Sequence, residues 1–371
     1  MNEQKILQAK NNYEQLDELF VEKGVKRVFL VCGSSIQFLN INDYFINLER
    51  RMGIEVVRFN EFTPNPLYEQ VYSGVEKFIS SHSDMIIAVG GGSAMDVAKC
   101  IKLFANLDKK VNYLKQEIVP NDVELLAIPT TAGTGSEATR YAVIYYNGEK
   151  QSVSDYSCIP QIVLMDPSVL QTLPEYQKKA TMMDAFCHAI ESFWSVNSTD
   201  ESRMYSREAI KKILKYKDGY LANDEKANEE MLYAANIAGK AINITQTTAG
   251  HAMCYKLTGL YGISHGHAAA LCIKSLWPYM LYNTDKCIDA RGKGYLNDVF
   301  GQMAEAFGCK DCYEAYYKFK SILDDINLSV PVLKEDIAKL SSSVNPVRLK
   351  NNPIGLDKDT IMLLYEKILD K

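Results

Sequence analysis

Histidines concentrate in the second half of the chain, and together with a nearby carboxylate they form a pattern that predicts a metal site. Four of the five histidines lie there, and the first of them, His188, follows Asp184 by four residues. Residues four apart share one face of a helix, so both side chains can reach one ion. The other histidines of this half are His251, His265 and His267. Three imidazoles and a carboxylate suit Fe²⁺, Zn²⁺ or another borderline divalent metal.

A further carboxylate, Glu191, falls on the same helical face as Asp184 and His188. Two interpretations are open for it. Glu191 either orients a metal ligand from behind, as outer-shell carboxylates do, or it is a solvated surface charge.

A glycine-rich turn in the first half predicts a binding site for phosphate groups. Gly90-Gly91-Gly92-Ser93 follows the apolar run Met85–Val89 and opens a helical stretch, Ala94–Phe104. Glycines let the backbone approach an anion closely, and a helix N-terminus offers free N–H groups and the positive end of its dipole. The turn is neither GxGxxG nor a Walker A loop, which argues against an ordinary Rossmann or nucleotide triphosphatase domain.

A second turn, Pro129–Glu137, is rich in threonine and glycine and follows the apolar run Leu125–Ile128. Ligands of open α/β sheets bind outside the carboxyl ends of the strands. We therefore expect this loop to form a wall of a cofactor site.

Short apolar runs separated by helix-length stretches predict an α/β domain with a mostly parallel sheet. Its predicted strands are Val25–Val31, Ile54–Phe59, Met85–Val89, Leu125–Ile128 and Gln161–Met165, with an amphipathic helix at Glu69–Ser80. Asn147-Gly148 after Tyr141–Tyr146 predicts a hairpin. From about Pro174 only helical patterns follow, so we predict an α/β domain at residues 1–180 and an all-α domain at residues 181–371.

Composition and charge argue against several classes of protein. A net charge of −5 gives no general attraction to nucleic acid or to anionic lipid. No apolar run reaches the ~18–20 residues of a membrane span, and the polar N-terminus lacks a signal-peptide pattern, so a cytoplasmic location is expected. The nine cysteines are expected to be free, mostly buried thiols, with Cys309 and Cys312 on a helical segment.

Together these motifs resemble the iron-dependent (group III) alcohol dehydrogenases, within the dehydroquinate-synthase-like fold group. The resemblance covers nearly the whole chain, and its landmarks are GGGSAMDVAK (Gly90–Lys99), PTTAGTGSEAT (Pro129–Thr139), DAFCHAIES (Asp184–Ser192), HAM (His251–Met253), SHGHA (Ser264–Ala268) and NNP (Asn351–Pro353). It implies a nicotinamide-cofactor-binding first domain, a metal-binding and catalytic second domain, and an active site in the cleft between them. It also implies a homodimer that reduces a small-molecule aldehyde to a primary alcohol.

The resemblance further implies particular site residues. The implied metal ligands are Asp184, His188, His251 and His265, with Fe²⁺ as the expected ion and Zn²⁺ as the alternative. The implied cofactor contacts are Gly91, Gly92, Ser93, Asp96, Thr130, Thr131, Thr134 and Lys150.

Two positions depart from the family pattern. Many members carry a second histidine one helical turn after the third ligand, where this chain has Tyr255. Tyr255, His267 or water on the metal are the alternatives for proton transfer. NAD-preferring members often have an acidic residue where this chain has Gly33, so the resemblance favours NADPH and leaves NADH open.

One branch of the family, the phosphonoacetaldehyde reductases, is similar in the run Glu191–Asp200 together with Arg140 and Tyr255. That branch implies conversion of phosphonoacetaldehyde to 2-hydroxyethylphosphonate. A phosphonate needs cationic and hydrogen-bonding partners; the candidates are Arg140, Ser195, Asn197 and Lys256. Arg140 could equally form a structural salt bridge. The alternatives for function are a general short-chain alcohol dehydrogenase or a lyase or cyclase resembling dehydroquinate synthase.

Overall fold

The computed structural model describes residues 4–9, 12–328 and 337–369. The chain forms two compact units, residues 1–173 and residues 174–371. The predicted boundary near residue 180 therefore lies inside the first helix of the second unit. In the described ranges, no helix is both long enough and apolar enough to cross a membrane.

The first unit is built on a parallel sheet. Its strands are β1 (Lys5–Gln8), β2 (Arg27–Cys32), β3 (Glu55–Phe59), β4 (Met85–Gly90), β5 (Glu124–Pro129), β6 (Tyr141–Tyr146), β7 (Glu149–Ser154) and β8 (Ile162–Met165), and its helices are α1 (Glu14–Lys23), α2 (Asn40–Met52), α3 (Tyr68–Ser81) and α4 (Gly92–Phe104). Six strands form one sheet in the order β1-β8-β5-β4-β2-β3, with parallel pairing throughout. The predicted α/β fold and its strands are confirmed, and β1 is an additional strand.

Register in the middle of the sheet places the two predicted cofactor loops side by side. All six residues of β4 are buried, as expected for a central strand covered on both faces. Gly90, the last residue of β4, pairs with Pro129, the last residue of β5. The glycine turn and the threonine-rich loop therefore leave the sheet together at its carboxyl edge.

Strands β6 and β7 form the predicted antiparallel hairpin outside the main sheet. Its turn residues, Asn147 and Gly148, have φ values of 52° and 75°. Positive φ at both positions is what a two-residue turn matched to strand twist requires.

The second unit is helical, as predicted. Its helices are α5 (Glu175–Trp194), α6 (Asp200–Leu221), α7 (Glu225–Thr245), α8 (Ala249–Tyr261), α9 (His265–Tyr282), α10 (Gly292–Phe307), α11 (Cys312–Asp325), α12 (Ile337–Ser342), α13 (Pro346–Leu349) and α14 (Lys358–Leu369). Helix α5 is buried continuously from Met182 to Trp194 and packs against α6, α7, α9 and α10. A helix buried on every side is the centre of its bundle.

All nine cysteines are free thiols, and seven of them are buried, as predicted. The expectation that Cys309 and Cys312 share a helical segment is wrong. Gly308 ends α10 in the left-handed conformation, with φ of 68°. Cys309 consequently lies in the turn after α10, and Cys312 begins α11.

Candidate active site

Helix α5 carries three ionisable side chains on one buried face. Asp184, His188 and Glu191 have exposed fractions of 3%, 5% and 0%. Nε2 of His188 lies 4.0 Å from Oδ1 of Asp184. Buried polar and charged groups need partners, and here the partners come from later helices of the same unit.

Helices α8 and α9 bring two more histidines to this face of α5. His251, in the first turn of α8, places Nε2 3.5 Å from Oδ1 of Asp184. Its ring stacks on the ring of His188, with centroids 4.5 Å apart. His265, the first residue of α9, lies edge-on to His251 with ring centroids 5.3 Å apart. The structure thus places all four predicted ligands at one location.

Three of the four predicted ligands place their ligand atoms close enough together to hold one divalent ion. Asp184, His188 and His251 each offer one ligand atom, and these atoms lie within 4.8 Å of one another. In the described part of the chain, Oδ1 of Asp184 and Nε2 of His251 are buried and make no hydrogen bond. An ion between them would satisfy both atoms, and carboxylate oxygen with imidazole nitrogen suits Fe²⁺ or Zn²⁺. His265 lies beside this trio, with Nδ1 3.4 Å from Sγ of Cys254.

The charges of the cluster also favour a cation. Burial opposes ionisation of Asp184, but the imidazoles of His188, His251 and His265 outweigh it and lower the pKa of this carboxyl. Burial also opposes protonation of His251, but the carboxylates of Glu191 and Asp184 outweigh it and raise its pKa to about 9. Two ionised carboxylates around the imidazoles therefore attract either protons or a metal ion. Protons and metal compete for such ligands.

Contacts of Glu191 decide between its two interpretations. Its Oε1 accepts hydrogen bonds from the backbone N–H of Thr248 and of His251, each at 3.2 Å, and from the Thr248 hydroxyl at 2.6 Å. Its Oε2 pairs with Nδ1 of His251. Glu191 is therefore an orienting residue and not a solvated charge: it fixes the start of α8 and turns Nε2 of His251 toward Asp184.

We expect Glu191→Gln to weaken metal binding roughly 10- to 100-fold, because loss of a carboxylate that orients a ligating histidine has effects of this size. The amide removes the negative charge that holds the proton on Nδ1 of His251. Metal retained after dialysis against chelators of increasing affinity measures the effect. Glu305→Gln, the same charge change at an exposed position of α10, is the matched control. Equal metal retention by the two variants would rule out the orienting role.

Tyr255 and His267, the two predicted proton-transfer residues, have different surroundings. The Tyr255 ring stacks on His265, with centroids 5.2 Å apart, and burial raises the pKa of Tyr255. His267 is 1% exposed, and burial lowers its pKa to about 4. Nδ1 of His267 lies 3.1 Å from the hydroxyl of Tyr176, in the first turn of α5. Tyr255 therefore contacts a predicted metal ligand, whereas His267 contacts a tyrosine.

Ser195 and Asn197, two candidates for substrate binding, make hydrogen bonds within the protein. Oγ of Ser195 donates to the carbonyl of Thr245 at 3.2 Å. Nδ2 of Asn197 donates to the same carbonyl and to Oδ1 of Asn351, each at 3.2 Å. These bonds join the end of α5 to the end of α7 and to the NNP motif. Lys256, the third candidate in this unit, lies half-buried on α8.

In the first unit, the glycine turn and the threonine-rich loop face each other. A Cβ atom on Gly91 would lie 3.3 Å from Oγ1 of Thr131, and one on Gly92 would lie 3.3 Å from Cγ2 of Thr134. Gly90 has φ of 156°, a backbone conformation that side chains avoid. Backbone and threonines thus line a narrow cradle where α4 begins, which suits a pyrophosphate.

Asp96, a predicted cofactor contact, lies one turn into α4, the helix that begins at this cradle. Its Oδ1 accepts a hydrogen bond from Ser136 at 3.1 Å. Burial raises its pKa to about 6, although Lys99 and Lys150 act in the opposite direction. Lys150 comes from β7, where it pairs with Tyr145, so the hairpin extends to the vicinity of Asp96.

The remaining predicted cofactor residues surround the same sheet edge. Ser93 lies in the first turn of α4, and Thr130 donates its backbone N–H to the carbonyl of Gly90 at 3.1 Å. Gly33 follows β2 with φ of −80°, and a Cβ there would meet nothing within 4 Å. Neither backbone conformation nor packing therefore requires glycine at position 33, and the open space can accept a larger group.

Arg140 is held between two tyrosines of the first unit. Its Nη1 donates to the hydroxyl of Tyr156 at 2.7 Å. Its guanidinium carbon lies 4.7 Å from the ring centroid of Tyr141 and 4.6 Å from that of Tyr156. Cation–π contacts of this kind fix the orientation of an arginine.

Arg348 and Cys254 are neighbours of the cluster that sequence reasoning missed. Nη1 of Arg348 donates to the hydroxyl of Tyr255 at 2.6 Å, although the two residues are far apart in the chain. The only signal for Arg348 was its position just before the NNP motif (Asn351–Pro353). Cys254 precedes Tyr255 on α8, and nothing in the sequence distinguished it from the other cysteines.

Solved structures with this architecture show the class of protein. Sulfoacetaldehyde reductase from Bifidobacterium kashiwanohense, solved in complex with NAD⁺, superposes with a TM-score of 0.86 at 25% identity, covering 99% of this chain and 97% of that one. A parallel-sheet unit followed by a helical unit with a buried Asp–His cluster therefore defines a metal-dependent, nicotinamide-linked oxidoreductase.

Family models identify the family. The model "Iron-containing alcohol dehydrogenase" matches residues 3–167, and "Fe-containing alcohol dehydrogenase family, C-terminal" matches residues 178–369. The chain belongs to the iron-containing alcohol dehydrogenase family. Iron and a nicotinamide dinucleotide are the cofactors that this membership and the Asp184, His188 and His251 cluster support.

Two curated relatives show the range of substrates in the family. An NAD-dependent methanol dehydrogenase of Bacillus methanolicus is 32% identical over 253 residues, 66% of this chain and 65% of that protein. An NADPH-dependent butanol dehydrogenase of Clostridium saccharobutylicum is 30% identical over 296 residues, 78% of this chain and 74% of that protein. The relatives thus differ in both nicotinamide preference and alcohol.

Proposed function

We propose that this protein reduces phosphonoacetaldehyde to 2-hydroxyethylphosphonate with NADPH or NADH. The main support for a metal-dependent reduction is the buried cluster of Asp184, His188 and His251. Its ligand atoms lie close enough together to hold a divalent ion, and Oδ1 of Asp184 and Nε2 of His251 make no hydrogen bond within the described residues. The similarity to a sulfoacetaldehyde reductase supports the substrate class. Sulfoacetaldehyde and phosphonoacetaldehyde are both two-carbon aldehydes that end in a tetrahedral oxyanion.

Residues of the helical unit bind the ion in this proposal. Asp184, His188, His251 and His265 would hold it, and Glu191 keeps a proton on Nδ1 of His251 so that Nε2 is a ligand. When bound, the metal supplies Lewis-acid stabilisation of the developing alkoxide, and the nicotinamide supplies the hydride. Tyr255 and His267 stay the predicted proton-transfer residues.

Residues of the α/β unit bind the dinucleotide in this proposal. The cradle residues Gly91, Gly92 and Ser93 would receive the pyrophosphate, and the other predicted contacts are Asp96, Thr130, Thr131, Thr134 and Lys150. The open space at Gly33 and the lack of an acidic side chain there support NADPH. A homodimeric state and a cytoplasmic location stay predictions.

The anionic group of the substrate requires positive charge or hydrogen-bond donors. Arg140, Lys256, Ser195 and Asn197 stay the predicted contacts. The internal hydrogen bonds of Ser195 and Asn197 favour a role for these two residues in positioning the loop after α5.

A second candidate is a general short-chain alcohol dehydrogenase, because the curated relatives include methanol and butanol dehydrogenases. The test is oxidation of NADPH and NADH by enzyme reloaded with Fe²⁺ or Zn²⁺, against phosphonoacetaldehyde, sulfoacetaldehyde and uncharged aldehydes. A strong preference for phosphonoacetaldehyde supports the proposal. Equal or better turnover of uncharged aldehydes favours the second candidate. No net NAD(P)H consumption with any aldehyde would favour a lyase or cyclase.

A further inference from the structure

A cation lies next to the predicted metal ligands in the helical unit. Arg348, on the short helix α13, donates from Nη1 to the hydroxyl of Tyr255 at 2.6 Å. Its guanidinium carbon is 4.9 Å from the Tyr255 ring centroid. The same ring stacks on His265, which contacts His251. Only one aromatic ring therefore separates the guanidinium from a predicted metal ligand.

The positive charge of Arg348 is not neutralised within the described residues. Arg203 and Arg291 of the same unit each pair with an aspartate. By contrast, no carboxylate of residues 4–9, 12–328 or 337–369 lies within 4.0 Å of the Arg348 guanidinium. Arg348 is half-buried, and a guanidinium offers five N–H donors in a planar fork. Such a group binds a tetrahedral oxyanion through two parallel hydrogen bonds.

The segment that carries Arg348 is anchored on both sides. Before it, the Asn345 side chain accepts from the backbone N–H of Val347 at 2.9 Å and caps α13. After it, Nδ2 of Asn351 donates to Oε1 of Gln246 at 3.0 Å and to the carbonyl of Thr247 at 3.2 Å. Gln246 and Thr247 lie just before α8. Arg348 is thus tied to the helix that presents His251, and its position does not have to be organised when an anion binds.

We propose that Arg348 binds the anionic end of the substrate and so determines the preference for phosphonate- or sulfonate-bearing aldehydes. Tyr255 is the positioning residue that holds the guanidinium in place. The inference rests on the proposed function, because it assigns the oxyanion of that substrate to a residue of the same site. It differs from the sequence-based candidate Arg140, which lies in the other unit.

The test compares three variants of the metal-loaded enzyme: Arg348→Gln, Arg348→Lys and Lys350→Gln. Lys350 is exposed and lies two residues further along the same segment, so Lys350→Gln is a matched loss of charge. The measured quantity is the ratio of kcat/KM for phosphonoacetaldehyde or sulfoacetaldehyde to kcat/KM for propanal. We expect Arg348→Gln to lower this ratio roughly 10- to 100-fold, mainly through KM. Arg348→Lys should recover part of the ratio, and Lys350→Gln should keep all of it.

A binding measurement separates this inference from the proposed function. Titration calorimetry with methylphosphonate, an oxyanion without an aldehyde, reports the anion site even if no aldehyde is reduced. We expect Arg348→Gln to weaken methylphosphonate binding by a similar factor while metal content stays at the wild-type level. Unchanged methylphosphonate affinity in a metal-loaded Arg348→Gln protein overturns the inference. Anion-selective turnover that persists in Arg348→Gln but is lost in Arg140→Gln would assign the role to Arg140 and leave the proposed function intact.

Discussion

His265→Ala should lose both its metal and its aldehyde reductase activity while it still binds the nicotinamide dinucleotide. His265 begins α9 beside His251, and its removal would leave Asp184, His188 and His251 as the remaining predicted ligands. We expect a loss of metal affinity larger than the roughly 10- to 100-fold effect expected for Glu191→Gln, because Glu191 acts on the metal only through His251. The predicted dinucleotide contacts are residues of the first unit, so dinucleotide binding should be unaffected.

Elemental analysis after dialysis and a fluorescence titration with NADPH measure these two effects of His265→Ala separately. The control is His82→Asn, which changes the exposed histidine of the first unit. His82 has φ of 49°, and asparagine tolerates that left-handed conformation better than other residues do. A His265→Ala enzyme that is active without metal would show that aldehyde reduction does not depend on a metal ion bound at this site.

Gly266→Ala should destabilise the helical unit and also displace the predicted metal ligands from one another. A Cβ atom at this position would lie 2.1 Å from the carbonyl oxygen of Ala180 and 2.5 Å from Cβ of Asp184. The obstacle is the backbone of α5, which cannot rotate away. We expect a loss of roughly 3 kcal/mol or more, at the upper end for overpacked sites. The added methyl group would also push His265 away from Asp184.

Gly259→Ala, in α8, is the matched control, because a Cβ at Gly259 would meet nothing within 4 Å. That variant should be neutral or slightly stabilising, since alanine favours helix over glycine by about 1 kcal/mol. Thermal unfolding and metal content are measured for both variants. For Gly266→Ala we expect Tm to fall by roughly 6–12 °C. A Gly266→Ala protein with wild-type Tm and full metal content would show that α9 can move away from α5 without consequence.

Much of the fold could be predicted because its signals are local. The strand Met85–Gly90 is a continuous apolar run, and its prediction as a buried strand is confirmed. Asn147-Gly148 is compatible with only a few turn types, and the hairpin predicted from it is also confirmed. Strand β1 (Lys5–Gln8) was missed because four residues of mixed polarity carry no clear periodicity. The end of α10 was missed although Gly308 marks it, because the Cys309 and Cys312 spacing was interpreted without that glycine.

Among the predicted metal ligands, spacing alone could group only the residues that helical periodicity brings together, and His251 and His265 were assigned through the family resemblance. The four-residue spacing of Asp184 and His188 brings them together without knowledge of the fold. The role of Glu191 depended on whether another helix covers its face, and only the contact with His251 decides it. Arg348 reaches Tyr255 through the packing of α13 near α8. Periodicity along one helix cannot indicate a contact between separate helices.

Helix α5 is both the centre of the helical bundle and the carrier of Asp184 and His188. An ion bound there would add a further link between α5, α8 and α9, beyond the hydrogen bonds that Glu191 makes to the start of α8, so its binding free energy adds directly to the free energy of unfolding of this unit. Each tenfold rise in free metal above the dissociation constant then adds about 1.4 kcal/mol. The abundance of the folded helical unit in a cell thereby becomes a function of the supply of metal.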